Sequence, residues 1–288
     1  MNGYVICTDS ACDIKPELLA EWGVRCESLT FRFDGEDKEY SNADMCTEDF
    51  YSKMKAGGVA KTSAVNKEVF AESFERILKE GYDILYLGFS TGLSTTYNSA
   101  RLAKEELSEK YPDRKILLTD TRSASAGFGL LLYLTVQKKN GGASIEDAHA
   151  FAEQIKSKLC HWFTVDDLIY LKRGGRISPA SYFVGNLLGI KPVLHMDDDG
   201  HLISMAKVRG RRTAVMSLAD KYGELAEDKA GGTVFISHAD CMADAQELSG
   251  ILKERYGAEV QLITDVGPVI GAHSGPGTLA LFFVGKER

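Results

Sequence analysis

Five hydroxyl side chains fall within seven residues of the chain, at Ser90, Thr91, Ser94, Thr95 and Thr96. They follow a continuous apolar run and precede a helical pattern, so they lie where a strand leads into a helix. The first backbone N–H groups of a helix have no partner within it and form the positive end of its dipole. Hydroxyls at this position are suited to hold an anion. The alternative is that Ser94 merely caps its helix.

The same stretch matches the Gly-x-Ser-x-Gly pattern of serine hydrolases, since Ser90 lies between Gly88 and Gly92. In those enzymes the nucleophile stands on the tight turn between strand and helix. Here Ser94 or Thr95 is the natural N-cap, so Ser90 comes about one turn too early. No His-Gly-Gly oxyanion loop precedes it. A serine hydrolase that acts on acyl substrates through Ser90 is therefore the alternative function.

Two further loops carry side chains that suit an anionic ligand. The pair Thr62-Ser63 precedes a helix that begins after Asn66, and such loops meet at the carboxyl ends of a parallel sheet. Residues 267–277 are rich in glycine and proline around His273, and such a backbone lets a ligand approach closely. We expect these loops to face one ligand. The alternative for His273 is a solvated surface position.

Two basic clusters, at residues 172–176 and 207–212, contrast with a net charge of −7. They are candidates for contact with an anionic ligand or a phosphate-bearing partner, and the alternative is a solvated face. Aromatic side chains do not interleave with these charges as a stacking platform for bases requires, so no nucleic acid is expected. A third hypothesis for the function is an interaction protein that docks through these clusters.

The composition is typical of a folded protein of about two domains, with 288 residues, 44% hydrophobic and 26% charged. The longest apolar stretch, around residues 128–136, is far short of the ~20 residues that span a bilayer. No secretory signal is visible, so we expect a cytoplasmic protein without a membrane span. The six cysteines lack paired spacing, and no Walker or dinucleotide motif occurs. We therefore expect neither a metal nor a cofactor.

Strand and helix patterns alternate along the first half of the chain, which predicts a mostly parallel sheet flanked by helices. Strands are predicted at 4–10, 24–33, 83–89 and 115–120, with a glycine-rich linker at 57–63. Helices are predicted from Pro16, after Thr47 and after Asn66, at 94–110 and 124–139, and from Ser144 to near Cys160.

The second half predicts a mixed sheet, because strands at 192–196 and 201–209 are joined by an Asp-Asp-Asp-Gly turn. Two more strands at 233–237 and 259–265 enclose a helix at 240–256, and a last strand covers 279–284. Ser178-Pro179 predicts the start of a short apolar helix that ends at Leu188. The fold class is α/β with two α/β domains, residues 1–158 and 159–288, and a ligand in the cleft between them.

Taken together, these loops resemble the DegV family, the fatty-acid-binding proteins that act as the B subunit of bacterial fatty acid kinase. The resemblance covers essentially the whole chain. Its motifs are Thr8-Asp9-Ser10, Lys61-Thr62-Ser63, residues 90–97, Asp120-Thr121-Arg122, residues 170–177, Lys191-Pro192 and residues 271–277. Several motifs in the right order are specific to the family, whereas any one alone is weak.

The resemblance implies a non-catalytic lipid-binding protein that buries one long-chain fatty acid and presents it to a separate kinase subunit. That subunit uses ATP to form an acyl phosphate for phospholipid metabolism. Thr62 and Ser94 match the family's carboxylate-binding hydroxyls. Other matched positions lie in the head-group region: Ser63, Thr95, Arg176, His273 and Ser274. The resemblance also implies that the protein is a monomer when it is not bound to the kinase. We expect the kinase to dock at Arg209, Arg211 and Arg212.

Two departures from the family pattern adjoin the expected head group. Ala64-Val65 stands where Gln-Pro is frequent, and Thr95 stands where a glycine usually follows the serine. Neither removes a hydroxyl. We expect the acyl slot to be lined by apolar residues of the predicted 178–188 helix, although core packing explains them equally well: Tyr182, Phe183, Val184, Leu187 and Leu188.

Overall fold

The computed structural model describes residues 3–178 and 189–288. The predicted helix that begins at Ser178-Pro179, with its five candidate slot residues, lies outside the described residues from position 179 on. Sheet A is wholly parallel and has the strand order β2-β1-β6-β7. Its strands are β1 (Tyr4–Asp9), β2 (Val24–Glu27), β6 (Asp83–Gly88) and β7 (Ile116–Asp120).

The helices of the first half form where the capping and periodic signals predict them. The Asn66 side chain accepts a hydrogen bond from the Val69 N–H, and the Ser144 side chain accepts one from the Asp147 N–H. Each of these caps begins a helix that buries one apolar face. The helices are α1 (Pro16–Glu21), α2 (Thr47–Lys55), α3 (Lys67–Lys79), α4 (Thr96–Lys110), α5 (Ser125–Asn140) and α6 (Ile145–Lys156).

A small antiparallel sheet, sheet B, corrects two predictions. It has the order β4-β3-β5, with β3 at Thr30–Phe33, β4 at Tyr40–Ser41 and β5 at Ala60–Ser63. The single strand predicted at 24–33 is wrong, because residues 28–29 separate β2 in sheet A from β3 in sheet B. At this break the Leu29 N–H donates to Ser10 Oγ at 3.0 Å. The predicted linker at 57–63 is also wrong. Its second half is a strand without the apolar alternation that would have revealed it.

Sheet C is mixed and contains six strands in the order β10-β9-β8-β13-β11-β12. The predicted hairpin is confirmed, since β9 and β10 pair antiparallel. The helix predicted to end near Cys160 stops at Lys156, because residues 159–164 form a fully buried strand that pairs with β9 and β13. The strands are β8 (Leu159–Thr164), β9 (Ile190–Met196), β10 (Leu202–Arg209), β11 (Val234–His238), β12 (Val260–Asp265) and β13 (Leu279–Val284).

Four helices accompany sheet C: α7 (Ile169–Arg173), α8 (Arg211–Leu225), α9 (Met242–Tyr256) and α10 (Pro268–Ser274). The glycine-rich loop predicted at 267–277 is therefore wrong over most of its length. Pro268 occupies the first turn of α10, where its missing N–H is harmless, and Gly275 ends the helix at a φ of 80°. In the described parts of the chain, no helix has both the length and the apolar character needed to cross a bilayer.

The two faces of sheet C pack against different parts of the chain, and the cavity described below lies on one of them. Leu281 and Phe283 of β13 belong to a core cluster with α8 and α9. Ala280 and Phe282 alternate with them and belong to a larger core that continues into the first half of the chain. The α/β fold class, with a parallel sheet and a mixed sheet, is confirmed.

Candidate functional site

A cavity of about 500 Å³ lies between one face of sheet C and the loops that follow β5, β6 and β7. This volume is within the range of ~300–1,000 Å³ that is usual for small-molecule sites. Most of its described wall is apolar, and seven of its polar side chains form two groups. The lining residues are Leu29, Thr62, Ala64, Phe89, Thr91, Gly92, Leu93, Ser94, Thr95, Ala124, Ser125, His161, Phe163, Leu171, Gly175, Arg176, Met196, Leu202, Ser237, Val266, Val269, Ile270, His273, Ser274, Thr278, Ala280 and Phe282.

The first polar group, which we call the rim, consists of Thr62, Ser94, Arg176 and His273. Thr62 Oγ1 on β5 lies 2.8 Å from His273 Nε2 on α10, so a hydrogen bond joins sheet B to the second half of the chain. Burial lowers the pKa of His273 to about 4, and the nearby Arg176 charge acts in the same direction. The imidazole is therefore neutral at neutral pH.

The tautomer of His273 decides what Thr62 can offer a ligand. His273 Nδ1 is buried, has no hydrogen-bond partner among the described residues and faces Gly174, where an added Cβ would lie 2.1 Å away. A proton on Nε2 leaves no unsatisfied N–H at Nδ1 and makes His273 the donor to Thr62. The Thr62 hydroxyl hydrogen is then free to bind an acceptor in the cavity.

Ser94 lies just before α4, which begins at Thr96 rather than at Ser94 as predicted. Its N–H donates to the Ser90 carbonyl at 3.0 Å, and its Oγ accepts from the Thr96 N–H at 3.2 Å. Ser94 Oγ also lies 2.9 Å from Thr96 Oγ1. When Thr96 is the donor of that pair, the half-buried Ser94 hydroxyl can donate into the cavity.

Arg176 supports the loop that carries Ser94. Its Nε and Nη2 both donate to the Leu93 carbonyl, at 3.1 and 3.0 Å, and its Nη1 donates to the Gly174 carbonyl. Burial lowers the pKa of the Arg176 guanidinium, but an arginine stays protonated at neutral pH. The rim can therefore present two hydroxyl donors beside one fixed positive charge, an arrangement suited to a carboxylate.

The remaining predicted head-group residues are placed differently. Thr95 and Ser274 line the cavity, and Ser274 Oγ is buried with no partner among the described residues. Ser63 is exposed and does not line it. Of the positions that depart from the family pattern, Ala64 and Thr95 line the cavity, whereas Val65 is buried in the core.

The five hydroxyls at 90–96 do not act as one cradle. Ser90 is fully buried and donates to the Gly200 carbonyl at 2.9 Å, and Thr91 donates to the Asp120 carboxylate at 2.5 Å. Within the described residues no imidazole contacts Ser90 Oγ, so it lacks the base that activates a serine nucleophile. This geometry does not support the hydrolase alternative.

The second polar group lies on the inner wall, and the sequence did not identify it. Ser125 at the start of α5 donates to Asp13 Oδ2 at 2.6 Å, and its Oγ lies 3.0 Å from Ser237 Oγ on β11. Burial raises the pKa of Asp13 to about 7, against the opposing effect of the Ser125 hydrogen bond. His161 on β8 completes the group. Around these side chains the inner wall is apolar, with Phe163, Met196, Leu202, Val266, Ile270, Ala280 and Phe282.

The predicted docking arginines differ in their availability. Arg211 is engaged, since its Nε donates to Asp244 Oδ2 at 2.8 Å and its Nη1 lies 3.6 Å from Asp166 Oδ1. Arg212 is 86% exposed and 3.5 Å from a Glu247 oxygen. Arg209 is exposed on β10, the edge strand of sheet C.

Comparison with known proteins connects this geometry to a family. A DegV domain-containing protein of Clostridium perfringens is 42% identical over 289 residues, covering 100% of this chain and 99% of the relative. A DegV family protein from Thermus thermophilus, described by its fatty acid binding, superposes with a TM-score of 0.89 at 28% identity, covering 98% of this chain and 99% of that one.

A stearic-acid-binding protein from Eubacterium ventriosum superposes with a TM-score of 0.88 at 27% identity, covering 98% of both chains. These structural neighbours are described as binding proteins and not as catalysts. The family model described as "Uncharacterised protein, DegV family COG1307" matches residues 4–286. The resemblance seen in the sequence motifs is thus confirmed, and the chain belongs to the DegV family.

Proposed function

We propose that this chain binds one long-chain fatty acid, with the carboxylate at the rim and the acyl chain along the inner wall. The observation that carries the proposal is a cavity of about 500 Å³ whose apolar wall adjoins two hydroxyls, a neutral imidazole and an arginine. The proposal needs no metal or cofactor held by this chain.

We also propose a domain boundary near residue 158. The strands of sheets A and B precede this position, and those of sheet C follow it.

The apolar wall accounts for affinity. Each buried methylene contributes about 0.8 kcal/mol, so a sixteen-carbon chain supplies roughly 10 kcal/mol of transfer free energy before the losses of binding are subtracted. The rim accounts for orientation. Burying an ionised carboxylate is unfavourable unless donors satisfy it, and Thr62 and Ser94 provide such donors beside the Arg176 charge.

Replacing both hydroxyls tests this assignment. We expect Thr62→Ala/Ser94→Ala to weaken palmitate binding by at least about 100-fold, because hydrogen bonds to a charged group contribute about 1.5–3 kcal/mol each. Affinity is measured by displacement of a fluorescent fatty acid from delipidated protein, with thermal unfolding as the check of the fold. Thr213→Ala/Ser217→Ala, on the outer part of α8, is the matched control. Unchanged palmitate affinity in the folded double variant would refute the site.

We also propose that the loaded protein presents its carboxylate to a separate ATP-dependent fatty acid kinase subunit in the bacterial cytoplasm, for phospholipid metabolism, and is otherwise a monomer. Support comes from the rim, where Thr62 and Ser94 are only half-buried, so a bound carboxylate lies near the surface. In this proposal Arg209 and Arg212 contact the kinase directly. Arg211 supports the same surface through its contacts with Asp166 and Asp244.

Charge reversal tests the docking residues. Arg209→Glu/Arg212→Glu should lower the rate at which the kinase phosphorylates bound fatty acid by about tenfold, through loss of electrostatic steering, without altering fatty acid affinity. The control is Lys229→Glu/Lys253→Glu, which makes the same charge change at two other exposed positions. A normal phosphorylation rate in the arginine variant would refute docking at this surface.

A further inference from the structure

The inner wall of the cavity carries polar groups that an unsubstituted acyl chain cannot use. Ser125, Ser237 and His161, which we call the inner polar subsite, all line the cavity and have exposed fractions of 6%, 0% and 2%. They lie among aromatic and aliphatic side chains. Hydrogen-bonding groups in such surroundings are unfavourable unless they have partners.

The hydroxyl hydrogens of the two serines are already used. Above about pH 7, where Asp13 is ionised, Ser125 donates its one hydrogen to Asp13 Oδ2 at 2.6 Å. The 3.0 Å contact between the two serine oxygens must therefore use the hydrogen of Ser237. Ser237 Oγ is left with lone pairs and no hydrogen to donate, so it offers the cavity an acceptor.

His161 independently offers a second acceptor. Its Nδ1 lies 2.9 Å from the Leu159 carbonyl, which can only accept, so Nδ1 carries the ring proton. Burial lowers the pKa of His161 well below its usual value, which keeps the ring neutral. Nε2 is then an acceptor, and it is buried without a partner among the described residues.

We propose that the inner polar subsite binds a hydroxyl group carried on the acyl chain, so that the cavity prefers hydroxylated long-chain fatty acids to unsubstituted ones. A hydroxyl is a small uncharged substituent that donates a hydrogen bond, and the subsite offers acceptors. A carboxylate has no hydrogen to donate to these acceptors, and above about pH 7 it would also meet the ionised Asp13. The ligand's acid group is therefore directed to the rim and its hydroxyl to the interior. This inference rests on the proposed fatty acid function.

The test compares stearate with a series of hydroxystearates that differ in the position of the hydroxyl, using displacement from the full-length delipidated protein. We expect at least one isomer to bind about fivefold more tightly than stearate, the effect of one buried neutral hydrogen bond. Ser237→Ala/His161→Phe, which removes both acceptors, should abolish that preference and bring the affinity ratio close to one. Ser217→Ala, which removes a serine hydroxyl on α8, should keep it.

Two results would overturn the proposal. The first is stearate binding in the wild-type protein with no isomer preferred, which is also the behaviour of a subsite that holds only water. This comparison needs no variant, so it stands even when Ser237→Ala/His161→Phe fails to fold. The second is a preference that survives in folded Ser237→Ala/His161→Phe. Failure of stearate itself to bind would instead refute the proposed function together with this inference.

Discussion

The rim of the cavity and its inner wall differ in burial, in the origin of their residues and in the hydrogen-bonding groups that they offer. The rim takes one side chain each from β5, the loop before α4, the segment after α7, and α10, and its hydroxyls are half-buried. The inner wall is built largely from one face of sheet C and is nearly closed to solvent. The rim offers donors and a positive charge, whereas the inner wall offers apolar surface and acceptors.

This contrast explains how one cavity can fix the direction of a long, nearly featureless ligand. Apolar burial is proportional to area and has no direction, so it sets affinity without setting orientation. Two groups of opposite hydrogen-bonding character remove that ambiguity. An anion is stabilised beside Arg176, and above about pH 7 it is repelled by the ionised Asp13.

The largest expected effect comes from filling the inner wall. Ala280 is buried, lines the cavity and lies between Phe163 and Ser237 in adjacent strands. Ala280→Trp should lower palmitate affinity by at least about 100-fold, since excluding four methylenes removes about 3 kcal/mol. Fluorescent displacement gives the affinity, and Ala206→Trp, at an exposed position of β10, is the control. Normal affinity in folded Ala280→Trp would place the acyl chain elsewhere.

An intermediate effect is expected at the rim. Arg176→Met removes the guanidinium that binds the Leu93 carbonyl and the charge beside the proposed carboxylate. We expect about tenfold weaker palmitate binding, and a smaller loss for palmityl alcohol, which has no charge. The control is Arg101→Met, which alters an exposed arginine of α4 that is ion-paired to Glu105. Equal losses for acid and alcohol would show that Arg176 acts only by holding the loop.

The smallest expected effect is a pH dependence of the free energy of unfolding, which arises from Asp13 beside the inner wall. Burial raises the pKa of Asp13 from 3.8 to about 7, so the folded protein retains this proton where the unfolded chain has lost it. Stability contributed by this group is therefore present below about pH 4 and is lost as pH rises to about 7.

Asn at position 13 cannot titrate. The free energy of unfolding of Asp13→Asn should therefore increase relative to that of the wild type as pH rises from 4 to 7. Urea denaturation of both proteins across this interval measures the difference, in which the titration of His273 and other shared groups largely cancels. Parallel curves for the two proteins would contradict the assigned pKa.

The sequence predicted the rim better than the inner wall for a physical reason. Thr62, Ser94, Arg176 and His273 lie in short motifs whose residue types signal their chemistry locally. Ser125 and Ser237 are 112 positions apart in the chain and meet only because α5 packs against β11 of sheet C. Nothing in either local sequence distinguishes them from serines at ordinary element ends.

The errors in the fold have a similar origin. β5 lacks apolar alternation because sheet B buries it only in part, and its pairing with β3 depends on contacts about thirty positions away. The helix α10 was not predicted because its sequence is rich in glycine. These glycines allow close packing, as at Gly271, where a Cβ would lie 2.3 Å from the Tyr51 hydroxyl. Local propensity predicts a loop there, and tertiary packing forms a helix instead.

The most direct test of the central claim is mass spectrometry of the organic extract of protein purified under native conditions. A fatty acid buried in this cavity should remain bound through purification, so we predict long-chain fatty acid in about equimolar amount. The extract would also identify the preferred acyl chain. An extract without fatty acid, together with no uptake of added palmitate or oleate, would contradict it.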